Sequence, residues 1–361
     1  MWLSFRVNYH DPNKNPLLMD GVLPVVQSLQ EQGVVGNFYF LRHWLRGPHL
    51  RLNLECAYGL FEQSIRPLVL EQIGAYLAAH PSATLSEEEL LPQHRELAKM
   101  EMITDPLSPF SPNNTVEEVP YQNVSALGAE GTRLQELYNV STSGLLVRLL
   151  ERSQADPNAL IPDLIQVMIA VIANVKDVRR SYLSFRSHSE SMLHAYDQTG
   201  ALRRQFQQKY DANREPIIAL IRSMVQEVKT QDADVDPLFK QWAAFIRKFF
   251  QEVVAAVERG GVRPPLPEDM EGFYTEHGVP DGWVVQQLSE FHELFYSKED
   301  INDILNGTEF KSLRMMLNYL YHTFLQAGIK PIERYYLGFL VANGVEDLYG
   351  VHWRTLLPVT E

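Results

Sequence analysis

At the start of the chain, Leu3, Phe5, Val7 and Tyr9 alternate with Ser4, Arg6, Asn8 and His10, a period of two that predicts a strand with one buried face. After the polar break DPNKNP, the apolar positions of LLMDGVLPVVQSLQEQG recur at helical spacing and stop at Gly33, which predicts a helix closed by glycine. Residues 37–55, NFYFLRHWLRGPHLRLNLE, read as two more strands around a Gly-Pro pair. The next segment, LFEQSIRPLVLEQIGAYLAAH, predicts a second helix that Pro67 either ends in its first turn or kinks. Residues 105–123 carry four prolines and two adjacent asparagines, the chemistry of an irregular loop, and one of that length is often functional. Between about 130 and 256 the pattern is helical: ELYNVSTSGLLVRLLER, ALIPDLIQVMIAVIANVK, REPIIALIRSMVQEVK and FKQWAAFIRKFFQEVVAAVER each repeat with the 3.6-residue period. KSLRMMLNYLYHTFLQAG, about 311–327, and IERYYLGFLVANG predict two late helices. The expected fold is α+β: an N-terminal antiparallel-rich sheet with a hairpin, packed by a largely helical middle and C-terminal part. We expect one domain over 1–361, β-rich through 125, helical over 130–256, with a linker near 260–272 (GGVRPPLPEDMEG) and C-terminal helices over 283–350.

Hydrophobicity suggests a register for the hairpin. With Trp44 opposite His49, Arg42 faces Arg51 and Phe40 faces Asn53, while Leu41, His43 and Leu45 oppose Leu52, Leu50 and Pro48. One face is then nearly all apolar, and a slip by one residue would exchange the faces. This register gathers Arg42, His49 and Arg51 beside Phe38, Phe40 and Trp44. Two cations directly opposed repel, so the arrangement calls for an anion, and the planar fork of arginine matches a carboxylate or phosphate. A solvated face, with arginines lying over aromatic rings or paired with internal acids, is the alternative.

Composition narrows the classes. The chain has 361 residues, 45% hydrophobic and 21% charged, enough for a sizeable core. Its net charge of -13 argues against broad nucleic-acid binding. Cys56 is the single cysteine, so neither an intrachain disulfide nor a cysteine-rich zinc site can form. The N-terminus lacks the pattern of a signal peptide, and the most apolar stretch, IPDLIQVMIAVIANV, is interrupted by Asp163, Gln166 and Asn174, so no membrane span is expected. A soluble, cytoplasmic protein is the expectation. Phosphate-binding loop and dinucleotide fingerprints are missing from the sequence. Glu190 and His194, at i and i+4 in RSHSESMLH, form a metal pair without further ligands nearby; no metal or other cofactor is expected. The arginine runs VKDVRRSYLSFR and ALRRQFQQKY read as solvated helix faces or as a surface for an acidic peptide or a partner enzyme.

FYFLRHWLRGPHLRLNL resembles the aromatic-Leu/Ile-Arg-Tyr/His-Trp…Gly-Pro-His-Leu/Ile-Arg-Leu signature of the C-terminal, glutamate-elimination domain of class I lantibiotic dehydratases and their stand-alone thiopeptide relatives. LPQHRELAKMEM followed by SPNNTVEEVPYQN is similar to the family's Pro-Asn-Asn-Thr-Val…Pro-Tyr loop, and LYHTFLQAGIKPIERYYLGFL to its late His-Met-x-x-Asn-Arg-Leu helix. The resemblance spans nearly the whole chain. Two departures stand out: QNVSALGAEG replaces the usual Pro-Glu-x-x-Arg-Tyr-Gly-Gly continuation, keeping Gly128, and Gln326-Ala327 replaces Asn-Arg.

The resemblance implies an enzyme, a lyase, acting on a ribosomally made precursor peptide of leader plus core. In the family, Ser or Thr is glutamylated by a separate domain, and the elimination domain then removes an α-proton and expels glutamate. This needs a base, donors for the enolate oxygen and cations for the leaving group. The resemblance assigns Arg42 and Arg51 to a glutamate clamp and His322 to proton transfer, with His49, Trp44, Arg46, Asn114, Tyr121 and Asn318 contacting substrate. A related branch, the thiopeptide pyridine synthases, instead joins two dehydroalanines by formal [4+2] cycloaddition and loses water and leader peptide. It does not need the clamp. For it, Tyr121, His322 and Asn318 are the implied hydrogen-bonding or proton-transfer groups, and Asn318, His322 and Gln326 at i, i+4 and i+8 could share a helix face. A third reading is a non-catalytic scaffold that binds leader peptide. Besides the precursor, a glutamylating enzyme and a second copy of the chain are candidate partners; membrane and nucleic acid are not expected.

Overall fold

The computed structural model describes residues 1–57, 64–101, 103–122, 127–175, 177–262, 275 and 288–357. Most of the expected linker near 260–272, and the start of the segment expected to be helical from 283, lie outside the described residues. Four strands, β1 (Trp2–Asn8), β2 (Val35–His43), β3 (His49–Cys56) and β4 (Thr115–Val119), form an antiparallel sheet in the order β2-β3-β1-β4. The α+β expectation holds. β4 corrects the reading of 105–123 as entirely irregular: TVEEV pairs with β1, from Asn8↔Thr115 to Ser4↔Val119. Its sequence lacks alternation, and only the open edge of β1, distant in the chain, makes it a strand.

The hairpin register also differs from expectation by one residue. His43 pairs with His49, Arg42 with Leu50, Leu41 with Arg51 and Phe40 with Leu52. The cause is the turn. Arg46 and Gly47 both take left-handed conformations, with φ of 57° and 101°, and Gly47 N–H donates to Trp44 O at 3.0 Å, so five residues rather than four connect the paired positions. The shift keeps Arg42 with Phe40 but sets both on the face of Leu50 and Leu52, where β1 contributes Phe5 and Val7. The cations that do oppose each other are Arg6 and Arg51, on neighbouring β1 and β3.

A π-helical turn (Leu17–Val22) leads into α1 (Leu23–Glu31), and Gly33 follows with φ of 69°. In α2 (Arg66–Ala79), Pro67 occupies the first turn and starts the helix, because no main-chain N–H is needed there. α1 and α2 pack against the sheet. Then α3 (Glu87–Glu101) precedes β4, and α4 (Gly128–Ala155), α5 (Leu160–Ala173), α6 (Val178–Ser181), α7 (Leu183–Tyr196), α8 (Ala201–Ala212), α9 (Arg214–Thr230) and α10 (Pro237–Glu258) form the helical middle. After residue 288 come α11 (Glu290–Tyr296), α12 (Ile301–Asn306), α13 (Thr308–Ala327), α14 (Pro331–Tyr349) and α15 (Trp353–Leu356).

The apolar stretch flagged in the sequence is α5, buried nearly all round because α4, α9, α10 and α13 pack against it. Its Asp163 is buried and ion-paired with Arg152 at 3.0 Å. Among the described residues no helix is long and apolar enough to cross a membrane. One contiguous apolar core runs from Phe5 and Leu52 of the sheet through Ile169 of α5 to Leu337 of α14.

Candidate active site

The second face of the sheet carries Ser4, Arg6 and Asn8 from β1, Tyr39, Leu41 and His43 from β2, and His49, Arg51 and Asn53 from β3. It is polar yet covered: Ser4, Asn8, Tyr39, His49 and Asn53 are all buried. The turn residue Trp44 meets His94 of α3 with ring centroids 5.1 Å apart, and His94 stacks on Phe110 at 5.0 Å, which fastens α3 and the following loop over this end of the face. The Asn53 carboxamide has no hydrogen-bond partner at either end.

The structure divides the expected clamp. Arg42, on the core side, donates Nε to Gln326 O at 2.8 Å and a terminal nitrogen to Asn15 Oδ1. Burial pushes its pKa down to about 10. Gln326 returns a bond from Nε2 to Phe40 O at 2.7 Å, so the pair ties the outer edge of β2 to the end of α13. Arg51 lies on the other face and donates to Ser4 Oγ at 3.0 Å, Pro120 O at 2.7 Å and Gln122 Oε1 at 3.3 Å, anchoring the chain after β4. Arg42 and Arg51 therefore do not converge. Arg6 holds the hairpin turn through Leu45 O at 2.9 Å and Arg46 O at 2.7 Å.

Three more expected substrate contacts serve as internal fastenings. Arg46 donates Nε to Pro109 O at 3.0 Å. Asn114, at φ 57°, accepts from Ser82 N–H at 2.8 Å and donates to Ser82 O at 3.0 Å, locking the Asn-Asn loop to the turn before α3. His49 is buried, its Nδ1 2.8 Å from Gly47 O, and burial next to Arg6 holds its pKa well below the usual histidine range. A neutral imidazole there is a hydrogen-bonding group, not an anion-binding cation. His43 is neutral for a related reason: its Nδ1 accepts from the N–H groups of Trp44 at 3.1 Å and Leu45 at 3.0 Å, and burial pushes its pKa down to about 4.

At the other end of the polar face the expected residues do connect. Tyr121, just after β4, stacks on Trp2 with centroids 5.5 Å apart. It accepts a hydrogen bond from Tyr39 Oη at 3.0 Å and donates to Glu136 Oε2 of α4 at 2.7 Å. Burial and the Glu136 carboxylate raise the Tyr121 pKa, while burial pushes Tyr39 up to about 12; both phenols stay protonated at neutral pH. The adjacent residue of α4, Gln135, reaches His322 of α13, its Nε2 lying 3.3 Å from the ring Nε2. Burial lowers the His322 pKa, so the ring is neutral. Tyr121 and His322 thus bond to consecutive residues of one helix, Glu136 and Gln135. Asn318 is exposed on α13, His322 is half-buried and Gln326 fully buried, so the helix presents two of those three side chains outward and keeps the third for Phe40 O.

Sequence reading missed Tyr39, Gln135 and Glu136, which sit in ordinary strand and helix patterns and acquire a role only by contact. Glu190 and His194 do not pair around a metal: Glu190 is bound by Arg203 at 2.6 Å, with Arg186 at 3.6 Å, and no cluster of three metal-ligating side chains occurs among the described residues. Cys56 is free and buried, and burial raises its pKa, as suits a small packing residue.

No curated protein matches the chain. Among solved structures, the pyridine synthase TbtD from thiomuracin biosynthesis aligns with TM-score 0.73 and 24% identity over 97% of this chain and 99% of its own. TsrL aligns with TM-score 0.71 and 18% identity over 100% and 99%. The tRNA-dependent lantibiotic dehydratase MibB from Microbispora sp. 107891 aligns at 0.44 and 15% over 97% of this chain and 28% of its own. These likenesses establish a shared fold with TbtD and TsrL. Residues 2–342 match the family described as lantibiotic biosynthesis dehydratase C-term, and the chain belongs to that family.

Proposed function

We propose that the protein is a peptide-modifying enzyme of the pyridine-synthase type, joining two dehydroalanine residues of a ribosomally made precursor by formal [4+2] cycloaddition. The observation that carries this reading is the division of Arg42 from Arg51 by the sheet, each already bonded to protein acceptors, which removes the clamp that glutamate expulsion calls for. The match to TbtD, a pyridine synthase, along nearly the full length of both chains supports it.

The chemistry is redox-neutral. One dehydroalanine, with the amide tautomerised to its hydroxy-imine form, supplies a four-atom C=C–N=C unit; the second supplies C=C. Two carbon–carbon bonds close a six-membered ring. Loss of water, then of the leader as its carboxamide, leaves an aromatic pyridine without any oxidant. The enzyme has to hold two peptide segments together and move protons between amide nitrogen, carbonyl oxygen and ring carbon. Neutral His322 is the proton acceptor and carrier, and Tyr121, whose one hydroxyl proton is engaged by Glu136, donates to the substrate when the bound peptide takes the place of that carboxylate, with Asn318 on the exposed side of α13 holding peptide amides.

Glutamate elimination remains the second reading on one observation: Arg6 and Arg51 oppose each other on the polar face with neutral His49 beside them, an arginine pair in a different combination from the one the motif implied. Mass spectrometry of the cognate precursor separates the readings. Cycloaddition predicts leader release from a ready-made dehydroalanine peptide and none from the glutamylated form. Loss of glutamate from the glutamylated peptide would instead establish elimination, and binding of both peptides without turnover would leave a scaffold.

A further inference from the structure

A cavity of about 690 Å³ lies away from the sheet, between α7, α11, α12 and α13. Its volume falls within the range of small-ligand sites, about 300–1,000 Å³. Its wall is aromatic, from Phe291 and Phe295 of α11 and Phe310 of α13. Into this apolar space α13 places Arg314. The guanidinium lies over the Phe310 ring, 5.9 Å from its centroid, and among the described residues forms neither an ion pair nor a hydrogen bond. A half-buried, unpaired arginine is costly to hold unless an anion or acceptor completes it.

Among the described residues none supplies that acceptor. Asp300, Asp303 and Glu309 also line the cavity, but all three are exposed at its rim and none reaches Arg314. Deeper in, His292 is held between Ser187 Oγ at 2.9 Å and Ser289 Oγ at 2.7 Å, which leaves it neither nitrogen for Arg314. His188 is hydrogen-bonded through Nδ1 to Tyr321 Oη. With Tyr321 as donor, the His188 proton sits on Nε2. Burial first, and then the nearby positive charges of Arg334 and Arg314, push the His188 pKa down to about 3, and burial lowers the pKa of His292 as well, so both rings are neutral. The interior of the cavity is thus a positive, donor-rich field with apolar walls, in a chain whose net charge is -13.

We propose that this cavity is a binding site for a carboxylate carried on an aromatic or bulky apolar body, the carboxylate on Arg314 and the body against Phe291, Phe295 and Phe310. A peptide offers this chemistry either at a C-terminal residue with a free α-carboxylate or at an acidic side chain next to an aromatic one. Assigning the ligand to a peptide rests on the proposed function; the site's preference for a carboxylate does not.

Isothermal titration of the full chain with two dipeptides tests the site and separates the sources without requiring turnover. N-acetyl-asparaginyl-phenylalanine carries its carboxylate at the C-terminus, and N-acetyl-aspartyl-phenylalaninamide carries it on a side chain; N-acetyl-asparaginyl-phenylalaninamide carries none. At least one carboxylate peptide is expected to bind ten-fold or more tightly than the uncharged peptide, and the tighter of the two identifies the source. Arg314→Gln is expected to erase that ten-fold difference while leaving the melting temperature nearly unchanged, because among the described residues the arginine gives up no ion pair or hydrogen bond, only its long contact over the Phe310 ring. Equal binding of charged and uncharged peptides, no saturable binding of any of them, or unchanged discrimination in Arg314→Gln would each overturn the proposal. A melting temperature that falls in the variant would also count against it, since it would make Arg314 a structural residue.

Discussion

Arginine is an unreliable guide to function from sequence because its fork fits a backbone carbonyl as well as it fits a substrate carboxylate. Arg6, Arg42, Arg46 and Arg51 all sit in or beside the segments that suggested an anion site, and all four donate to main-chain carbonyls of the protein. For Arg42 the consequence is measurable. Arg42→Met keeps the apolar stem and strands the Gln326 carbonyl and the Asn15 side chain. We expect a loss of about 1.5–3 kcal/mol, the usual range for hydrogen bonds to charged groups, read as a lower midpoint in urea. A variant as stable as the parent would mean that Arg42 is held for another purpose. Histidine behaves in the opposite sense. His43 at about 4 and His188 at about 3 lie far below the unfolded value near 6.5, so the unfolded chain takes up protons first as the pH falls. Stability is therefore at its full value above about pH 6.5 and declines progressively toward pH 4. Melting temperatures measured from pH 8 to 4.5 should fall below that point, and His43→Asn should flatten part of the decline.

At the scale of elements, two helices approach at a glycine. A Cβ added to Gly344 of α14 would lie 2.4 Å from Ile221 Cδ1 and 2.9 Å from Ile217 Cγ2 of α9. Gly344→Ala should cost about 1–3 kcal/mol by overpacking, and Ile221→Val, which removes the nearer carbon, should recover part of it in the double variant. Additive losses in thermal denaturation would place the contact elsewhere. The junction of β2 with α13 is a second such point: Gly328 takes φ of 84° directly over Arg42, so the helix ends where the sheet edge begins. Closing that edge with Gln326 and Arg42 also blunts a strand that would otherwise offer unpaired main-chain groups. The substitution of Gln326-Ala327 for the family's Asn-Arg thus falls on a structural seam.

For the whole molecule, the polar face of the sheet and α13 are linked through α4, since Glu136 holds Tyr121 and Gln135 meets His322. If that link carries proton transfer, His322→Gln, which keeps a hydrogen-bonding amide, should lower leader release from a dehydroalanine peptide by about 100-fold, within the usual contribution of a general acid or base. Tyr121→Phe should show a comparable loss with little change in peptide affinity. Unaltered rates in both variants would move the chemistry away from this end of the sheet, and the mass-spectrometric comparison of dehydroalanine and glutamylated peptides would still report which reaction occurs.

The sequence by itself determined the parts that depend on local pattern. The alternation of Leu3, Phe5 and Val7, the helical periods of α4, α5, α9, α10 and α13, and the Gly33 stop all follow from neighbours a few residues apart. The signature motifs also placed the chain in its family. Tertiary structure decided the register of the hairpin, because a five-residue turn with two left-handed positions moved every β2 side chain by one pairing and sent Arg42 and Arg51 to opposite faces. It also decided that TVEEV is a strand, since only β1 gives it a partner, and that Glu136 meets Tyr121, Gln135 meets His322 and Arg314 lines a cavity, since each depends on what faces it from parts of the chain far away in sequence.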